Sequence, residues 1–346
     1  MLYVGLDLSR KRIDFHALGG EGELVERGAV PADRDGLARL VLRLGGHDRD
    51  VLAVIESMNG ARFVHDQLEL AGFEVEIADA QRVKGLAPLA CKTDRIDAWV
   101  LAELARRDLV PKLWLPDPAL RGERERARFR LKLVQQRTAL KNRVHATLIA
   151  HGHPCPVCDL FGARGRALLE RLAIPEPWQG TLEASLRLID QLEREIDALE
   201  RELRQLGAEH RYVPLLTTIP GIAWVLGYTI ASEIGDIRRF ASPGKLTGYT
   251  GLCPRVEQSG GRDRRGPLTK HGPRYLRWAL IEAAQHAGRH PAYRGLYARK
   301  RAQHPGPRGS KVAAICVARK LAEAIWQMLT HDQPFAPAGA TLDLAA

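Results

Sequence analysis

The chain has 346 residues, 45% hydrophobic and 27% charged, with 52 Lys+Arg against 41 Asp+Glu for a net charge of +11. That composition is globular and sized for about two domains, which excludes wholesale disorder and fibrous repeats. No apolar run approaches the roughly 20 residues of a membrane-spanning helix, no signal-peptide pattern opens the chain, and five scattered cysteines make no disulfide framework, so a cytoplasmic protein is expected.

The first 110 residues carry 15 basic and 19 acidic side chains. The basic excess lies later: nine basic against two acidic in 121–143, seven against two in 255–277, and nine against none in 289–320. An acidic first domain followed by basic strips is the charge pattern of a polyanion binder, with nucleic acid the expected partner.

In chain order, Leu2–Leu8 reads as an apolar strand, Arg12–Leu18 as a second with Ile13 and Phe15 alternating, and Leu24–Val30 as a third beyond a Gly-rich turn. Asp33 is the expected N-cap of a helix through Leu44. Val51–Ile55 is an unbroken apolar run, the pattern of a strand buried on both faces. A helix over 61–71, a strand over 73–77 and a helix from Asp94 to Arg107 follow. Hairpin strands followed by alternating helix and strand predict a mixed α/β sheet, an order that resembles the ribonuclease-H-like arrangement with the first strand central.

Polar residues interrupt this pattern at four places. Asp7 sits near the end of the first strand, and Glu56 ends the buried run at 51–55. If those strands are parallel neighbours, both carboxylates emerge at the carboxyl edge of the sheet, where α/β sites lie. Asp94 and Asp97, spaced i and i+3, share one helix face. Such converging acids repel one another unless cations lie between them, so two Mg²⁺ ions are the expected cofactor, with Mn²⁺ as a substitute.

Downstream, Arg121–Leu148 is predicted as a long basic amphipathic helix and a nucleic-acid contact. The His151, His153, Cys155, Cys158 segment is read as a Pro-rich linker, since no second ligand pair follows at zinc-finger spacing. Ile189, Leu192, Ile196, Leu199, Leu203 and Leu206 repeat with spacing 3,4,3,4,3, an a/d seam that pairs either with the basic helix or with a second copy. Thr217–Ile222 and Ala231–Gly235 form a helix-hairpin-helix-like element suited to phosphate. Ser259 lies among Gly260, Gly261, Arg262, Arg264 and Arg265 in an expected loop. Arg255, those arginines, Lys270, Arg274 and Arg277 are the expected nucleic-acid contacts.

Gly5-Leu6-Asp7-Leu8-Ser9, Ile55-Glu56-Ser57 and Lys92-Thr93-Asp94-Arg95-Ile96-Asp97-Ala98 look like the DEDD motif of the insertion sequence 110 family of transposases, to which the Piv-type DNA invertases are related. A second signature, from Gly251-Leu252-Cys253-Pro254-Arg255 through Gln258-Ser259-Gly260-Gly261 and Arg265–Lys270 to Gly272–Arg277, resembles the same family. The resemblance implies a RuvC-like catalytic domain over 1–115, a basic-helix and coiled-coil connector over 116–210, a mainly α transposase domain over 211–333 and a disordered tail over 334–346. It further implies that Asp7, Glu56, Asp94 and Asp97 hold metal and that Ser259 is the nucleophile, with Tyr249 and Tyr275 ranked below it. Donor and target DNA, a guide noncoding RNA and a dimeric or tetrameric assembly are the implied partners, with nucleoid association when on DNA. The alternative is a Holliday-junction-type endonuclease in which metal-activated water cuts the strand.

Overall fold

The computed structural model describes residues 1–47, 49–86, 94–153 and 157–337. By its internal contacts the chain divides into two compact units, Met1–Pro116 and Asp117–Ala346.

The first unit opens with β1 (Leu2–Leu8), β2 (Arg12–Leu18), β3 (Leu24–Pro31) and α1 (Arg34–Gly45), whose first turn is capped by the Asp33 carboxylate accepting from the Gly36 N–H at 2.7 Å. β4 (Val51–Glu56), α2 (Ala61–Leu70), β5 (Glu74–Ala78), α3 (Ala80–Leu86) and α4 (Asp94–Arg106) follow. The sheet order is β3-β2-β1-β4-β5, with the first strand central as the sequence leads one to expect. β1 is antiparallel to β2 and parallel to β4.

Alternation divides the sheet into two faces. Leu2, Val4, Leu6 and Leu8 of β1 join Val51, Ala53 and Ile55 of β4 in a core with α1 and α2. Tyr3, Leu52 and Val54 face the other way, against Ile96, Val100, Leu101 and Leu104 of α4. Gly5 is the position that lets α4 lie this close: a Cβ there would meet the Ala102 nitrogen at 2.5 Å and the Leu101 Cβ at 2.9 Å, with the Ala98 carbonyl oxygen nearer still.

The second unit begins with α5 (Pro118–Ala150), α6 (Ala163–Arg171) and α7 (Trp178–Glu209). It continues through α8 (Val213–Thr217), α9 (Trp224–Ile234), α10 (Pro243–Tyr249), the hairpin β6 (Pro254–Ser259) and β7 (Arg262–Leu268), α11 (Arg274–Ala287), α12 (Pro291–Ala302) and α13 (Pro307–His331). α5 and α7 pair antiparallel, since Arg126 meets Glu202, Arg130 meets Glu200 and Lys141 meets Glu193. Ile189, Ile196 and Leu203 are fully buried along the heptad repeat, whereas Leu206 is 37% exposed and Leu192 and Leu199 are half-buried. The basic strip on α5 is thus largely spent within the chain rather than presented as an open contact. Arg124 donates to the Ser232 and Glu233 carbonyls, and Arg128 forks onto the fully buried Glu233 carboxylate at 2.6 and 2.9 Å. Burial works against the Arg128 charge, but Glu233 overrides it and raises the guanidinium above its ordinary value.

α8 and α9 are joined through a Pro220–Gly221 turn, with Gly221 at φ +87. The turn is pressed on α11, where a Cβ on Gly221 would meet the Ala283 carbonyl at 2.6 Å. The start of the expected tail is also bound: Phe335 stacks on Tyr293 and its N–H donates to Thr218 Oγ1 at 2.9 Å. Residues 338–346 of that tail, Cys91 and Cys155 lie outside the described residues. Among the described residues no helix is long and apolar enough to cross a membrane.

Candidate functional site

Strand register brings Asp7 and Glu56 to neighbouring positions at the sheet's carboxyl edge. Leu6 pairs with Ile55 in the parallel β1–β4 ladder, so Asp7 and Glu56 are the next neighbouring positions, on the face that α4 covers. α4 runs antiparallel to β1. Its last turn reaches the Gly20 carbonyl through Arg106 at 3.3 Å, near the amino end of β1, and Ala98 and Ala102 straddle Gly5. From Gly5 to Asp7 the strand advances about 7 Å. From Val100 the helix retreats about 5 Å to Asp97 and about 9 Å to Asp94. Asp7 is therefore level with the turn that carries both helix acids. The backbone of Asp94 begins α4, and its side chain lies outside the described residues.

Asp7, Glu56 and Asp97 are all half-buried. Among the described residues their carboxylates do not close to a trio within 4.8 Å; His65, Asp66 and Glu69 on α2 do. The His65 ring lies 3.2 Å from the Asp66 carboxylate and 3.5 Å from that of Glu69, which accounts for that cluster as polar contacts along one helix surface.

The register also reveals an acid that sequence patterning missed. Asp14 of β2 is the direct cross-strand partner of Asp7, is 7% exposed, and is gripped by Arg12 through Nε at 2.7 Å and Nη2 at 2.6 Å. The available signal was an aspartate between Ile13 and Phe15, in a strand read only for those two apolar positions.

In the second unit Ser259 is the last residue of β6, a strand where a loop was expected. Gly260 and Gly261, at φ +55 and +77, turn the chain so that Ser259 pairs with Arg262. Two consecutive left-handed residues make the tight hairpin turn that glycine permits. Alternation puts Ser259, Arg262, Glu257 and Arg264 on one face, and Gln258, Asp263, Val256 and Arg265 on the other. Arg265 is ion-paired with Asp263 at 2.8 Å. Arg255, Arg262, Arg264 and Lys270 are exposed. Arg277 donates to the Thr250 and Lys270 carbonyls, each at 3.2 Å, and burial lowers its pKa. Arg274 donates to the Tyr275 hydroxyl at 2.7 Å, and the Tyr249 ring lies under the Arg239 guanidinium.

A mixed α/β unit with carboxylates at its sheet edge, followed by a mostly helical unit, fits a DEDD transposase. Two family models match the sequence: a DEDD-type IS110 transposase over residues 4–151, and the transposase IS116/IS110/IS902 family over 213–298. The chain belongs to this IS110/IS116 family of transposases, enzymes that act on DNA. It is 27% identical to the "Transposase for insertion sequence element IS1328" of Yersinia enterocolitica, over 82% of this chain and 85% of the relative. It is likewise 27% identical to a "Probable family 20 transposase" of Pseudomonas aeruginosa, over 96% and 98%. The "Transposase for insertion sequence element IS1111A" of Coxiella burnetii is 25% identical over 82% and 78%.

Proposed function

We propose that this transposase cuts and rejoins DNA through a ribonuclease-H-like acid site, formed by Asp7, Glu56, Asp94 and Asp97, together with Ser259 as nucleophile. The observation that carries the reading is the β1–β4 register, which makes Asp7 and Glu56 neighbours beneath the turn of α4 holding Asp97. The donor set is all carboxylate oxygen, two from the ends of otherwise apolar strands and two from the first turn of α4. That fits a hard divalent cation, since so many acids on one edge are costly without counter-charge. Mg²⁺ bound by these residues, two ions in this reading with Mn²⁺ as a substitute, supplies charge neutralisation for a reacting phosphodiester.

The remaining steps belong to the chain's own residues. Arg262 and Arg264, on the same hairpin face as Ser259, hold the phosphate. The Ser259 Oγ bonds to phosphorus as its proton departs, the P–O bond to the leaving strand breaks, and the leaving oxygen gains a proton. The strand stays esterified to the serine until a hydroxyl of a second strand attacks, restoring a phosphodiester and freeing Ser259. Arg255, Arg265, Lys270, Arg274 and Arg277 extend or support this DNA contact.

Pairing two DNA partners calls for several copies of the chain. An apolar groove of about 820 Å³ between α5 and α7, lined by Leu133, Leu140, Leu188 and Leu192, supports a coiled-coil-like contact between copies. A guide noncoding RNA is part of the same reading, and the cationic α12–α13 segment, with nine basic and no acidic residues over 289–320, supports it. Ser259→Ala is expected to abolish the covalent protein–DNA adduct, and Asp7→Asn to abolish strand cleavage, with DNA binding kept in both. An adduct formed by the alanine variant, or full Mg²⁺-dependent cleavage by the asparagine variant, overturns the corresponding half.

A further inference from the structure

The Ser259 reaction leaves one proton without a destination. A serine hydroxyl is a weak nucleophile until a base takes its hydrogen. The β6–β7 register shows what stands beside it. Ser259 is directly across from Arg262, and Glu257, two residues back on the same strand, is directly across from Arg264. Residues two apart on a strand share a face and lie about 7 Å from one another along it, and directly opposite side chains are about 5 Å apart at Cβ. One face of the ribbon therefore gathers a hydroxyl, a carboxylate and two guanidinium groups. A glutamate side chain is long and flexible enough to bring its carboxylate to the neighbouring hydroxyl.

That carboxylate is out of place on a surface that only holds DNA. Every residue from Arg255 to Pro267 is exposed, so among the described residues no other element covers Glu257, and the charged groups on its face are Arg255, Arg262 and Arg264. An acid among them repels the phosphates that the arginines attract. A residue serving affinity alone there would be neutral or basic, and an exposed one does nothing for a core. The ribbon's other acid, Asp263, is paired with Arg265 at 2.8 Å on the opposite face, which leaves Glu257 as its uncommitted carboxylate among the described residues.

We propose that Glu257 is the general base of strand cleavage, taking the Ser259 hydroxyl proton. This rests on Ser259 as nucleophile and adds the group that activates it. As Oγ bonds to phosphorus, the O–H proton passes to a Glu257 carboxylate oxygen, the P–O bond to the leaving strand breaks, and water protonates the leaving oxygen. In rejoining, the hydroxyl of the second strand attacks and gives its proton to the hydroxide so formed. The bond from phosphorus to Oγ breaks, and the Glu257 carboxyl returns its proton to Oγ. Kinases likewise use a carboxylate to accept the proton of the attacking hydroxyl.

The test is single-turnover formation of the covalent adduct by the full chain, in Mg²⁺, on DNA spanning the insertion sequence's end. Glu257→Gln, which keeps the shape and removes the base, is expected to slow adduct formation about 100-fold, with DNA binding in EDTA undiminished. Glu257→Ala is expected to be as slow and to speed up in proportion to added formate, ionic strength being held constant with chloride. A small carboxylate then stands in for the missing one, which a structural role would not allow. Adding Arg264→Ala separates a base from a glutamate that merely orients Arg264: the loss on Glu257→Gln is expected to persist in that background. An unchanged rate for Glu257→Gln overturns the proposal, as does a loss that formate does not restore or that vanishes without Arg264. The serine reading fails separately, if Ser259→Ala forms the adduct or the unaltered protein forms none.

Discussion

Gly5→Ala is the sharpest probe of how the proposed acid site is assembled, because α4 lies closest to the sheet at that backbone position. The added Cβ would approach the Ala102 nitrogen to 2.5 Å and the Leu101 Cβ to 2.9 Å, against ordinary contact from 3.4 Å upward. The obstruction is helix backbone, which cannot rotate aside as a flexible side chain can. The helix must therefore lift by about 1 Å or more, the kind of overpacking that costs about 1–3 kcal/mol. Lifting α4 carries Asp97 and Asp94 away from Asp7 and Glu56, and a misplacement of about 1 Å lowers catalysis by about 100-fold. Urea unfolding followed by circular dichroism reads the first effect, and Mg²⁺-dependent cleavage of labelled DNA the second. Gly20→Ala serves as the control, since nothing lies within 4 Å of a Cβ there. A Gly5→Ala protein with unchanged unfolding midpoint and unchanged cleavage rate would refute the seating of α4 on β1.

Two other predictions concern stability alone. Arg128→Met strands the fully buried Glu233 carboxylate and is expected to cost about 3–5 kcal/mol in urea unfolding, with most of the loss recovered when Glu233→Gln is added; no recovery in the double variant would mean that the pair is not what the site depends on. Hydrogen bonds from Arg106, and then from Arg107, hold the Glu103 carboxyl down to about 2 from an ordinary 4.5. A depressed folded-state pKa contributes stability above the unfolded value and loses it as pH falls towards the folded one. The unaltered protein should therefore lose stability between pH 4.5 and 2 more steeply than Glu103→Gln, and parallel thermal-melting curves for the two across that window would dispose of the pairing.

The sheet was legible because its strands carry apolar runs, and the paired boundaries of β1 and β2 follow from that pattern alone. Register was not legible. Alternation says which residues share a face of one strand, but only the tight Ser9–Arg12 turn fixes that Asp14 falls opposite Asp7. The hairpin carrying Ser259 escaped for a different reason: Pro254–Leu268 is polar nearly throughout, so there is no buried face to betray a strand, and Gly260-Gly261 reads equally as a flexible loop. Charge counting misled at α5. Nine cations against two acids over 121–143 look like an open basic surface, yet Glu193, Glu200 and Glu202 lie far along the chain, and only antiparallel packing of α7 brings them to Lys141, Arg130 and Arg126.

The two units meet the demand for ordered charge by opposite means. In the first, Asp7, Asp14 and Glu56 sit on strands of a sheet packed on both faces, so their backbone positions are as rigid as the sheet. In the second, the Ser259 hairpin has scarcely any buried side chain, and an isolated two-stranded hairpin is only marginally stable in water. Its order comes from its base, where the Thr269 N–H donates to the Cys253 carbonyl at 2.8 Å and the Lys270 N–H to Gly251 at 3.1 Å. Arg277 belongs to that base: bonding the Thr250 and Lys270 carbonyls, it serves the hairpin from beneath and has little left for DNA. Arg265 is similarly committed to Asp263 on the face away from Ser259. The arginine-rich segment thus separates into guanidinium groups that hold the hairpin and those, Arg262 and Arg264, that share the serine's face. On physical grounds the second group is the one whose removal should touch phosphate binding without touching the fold.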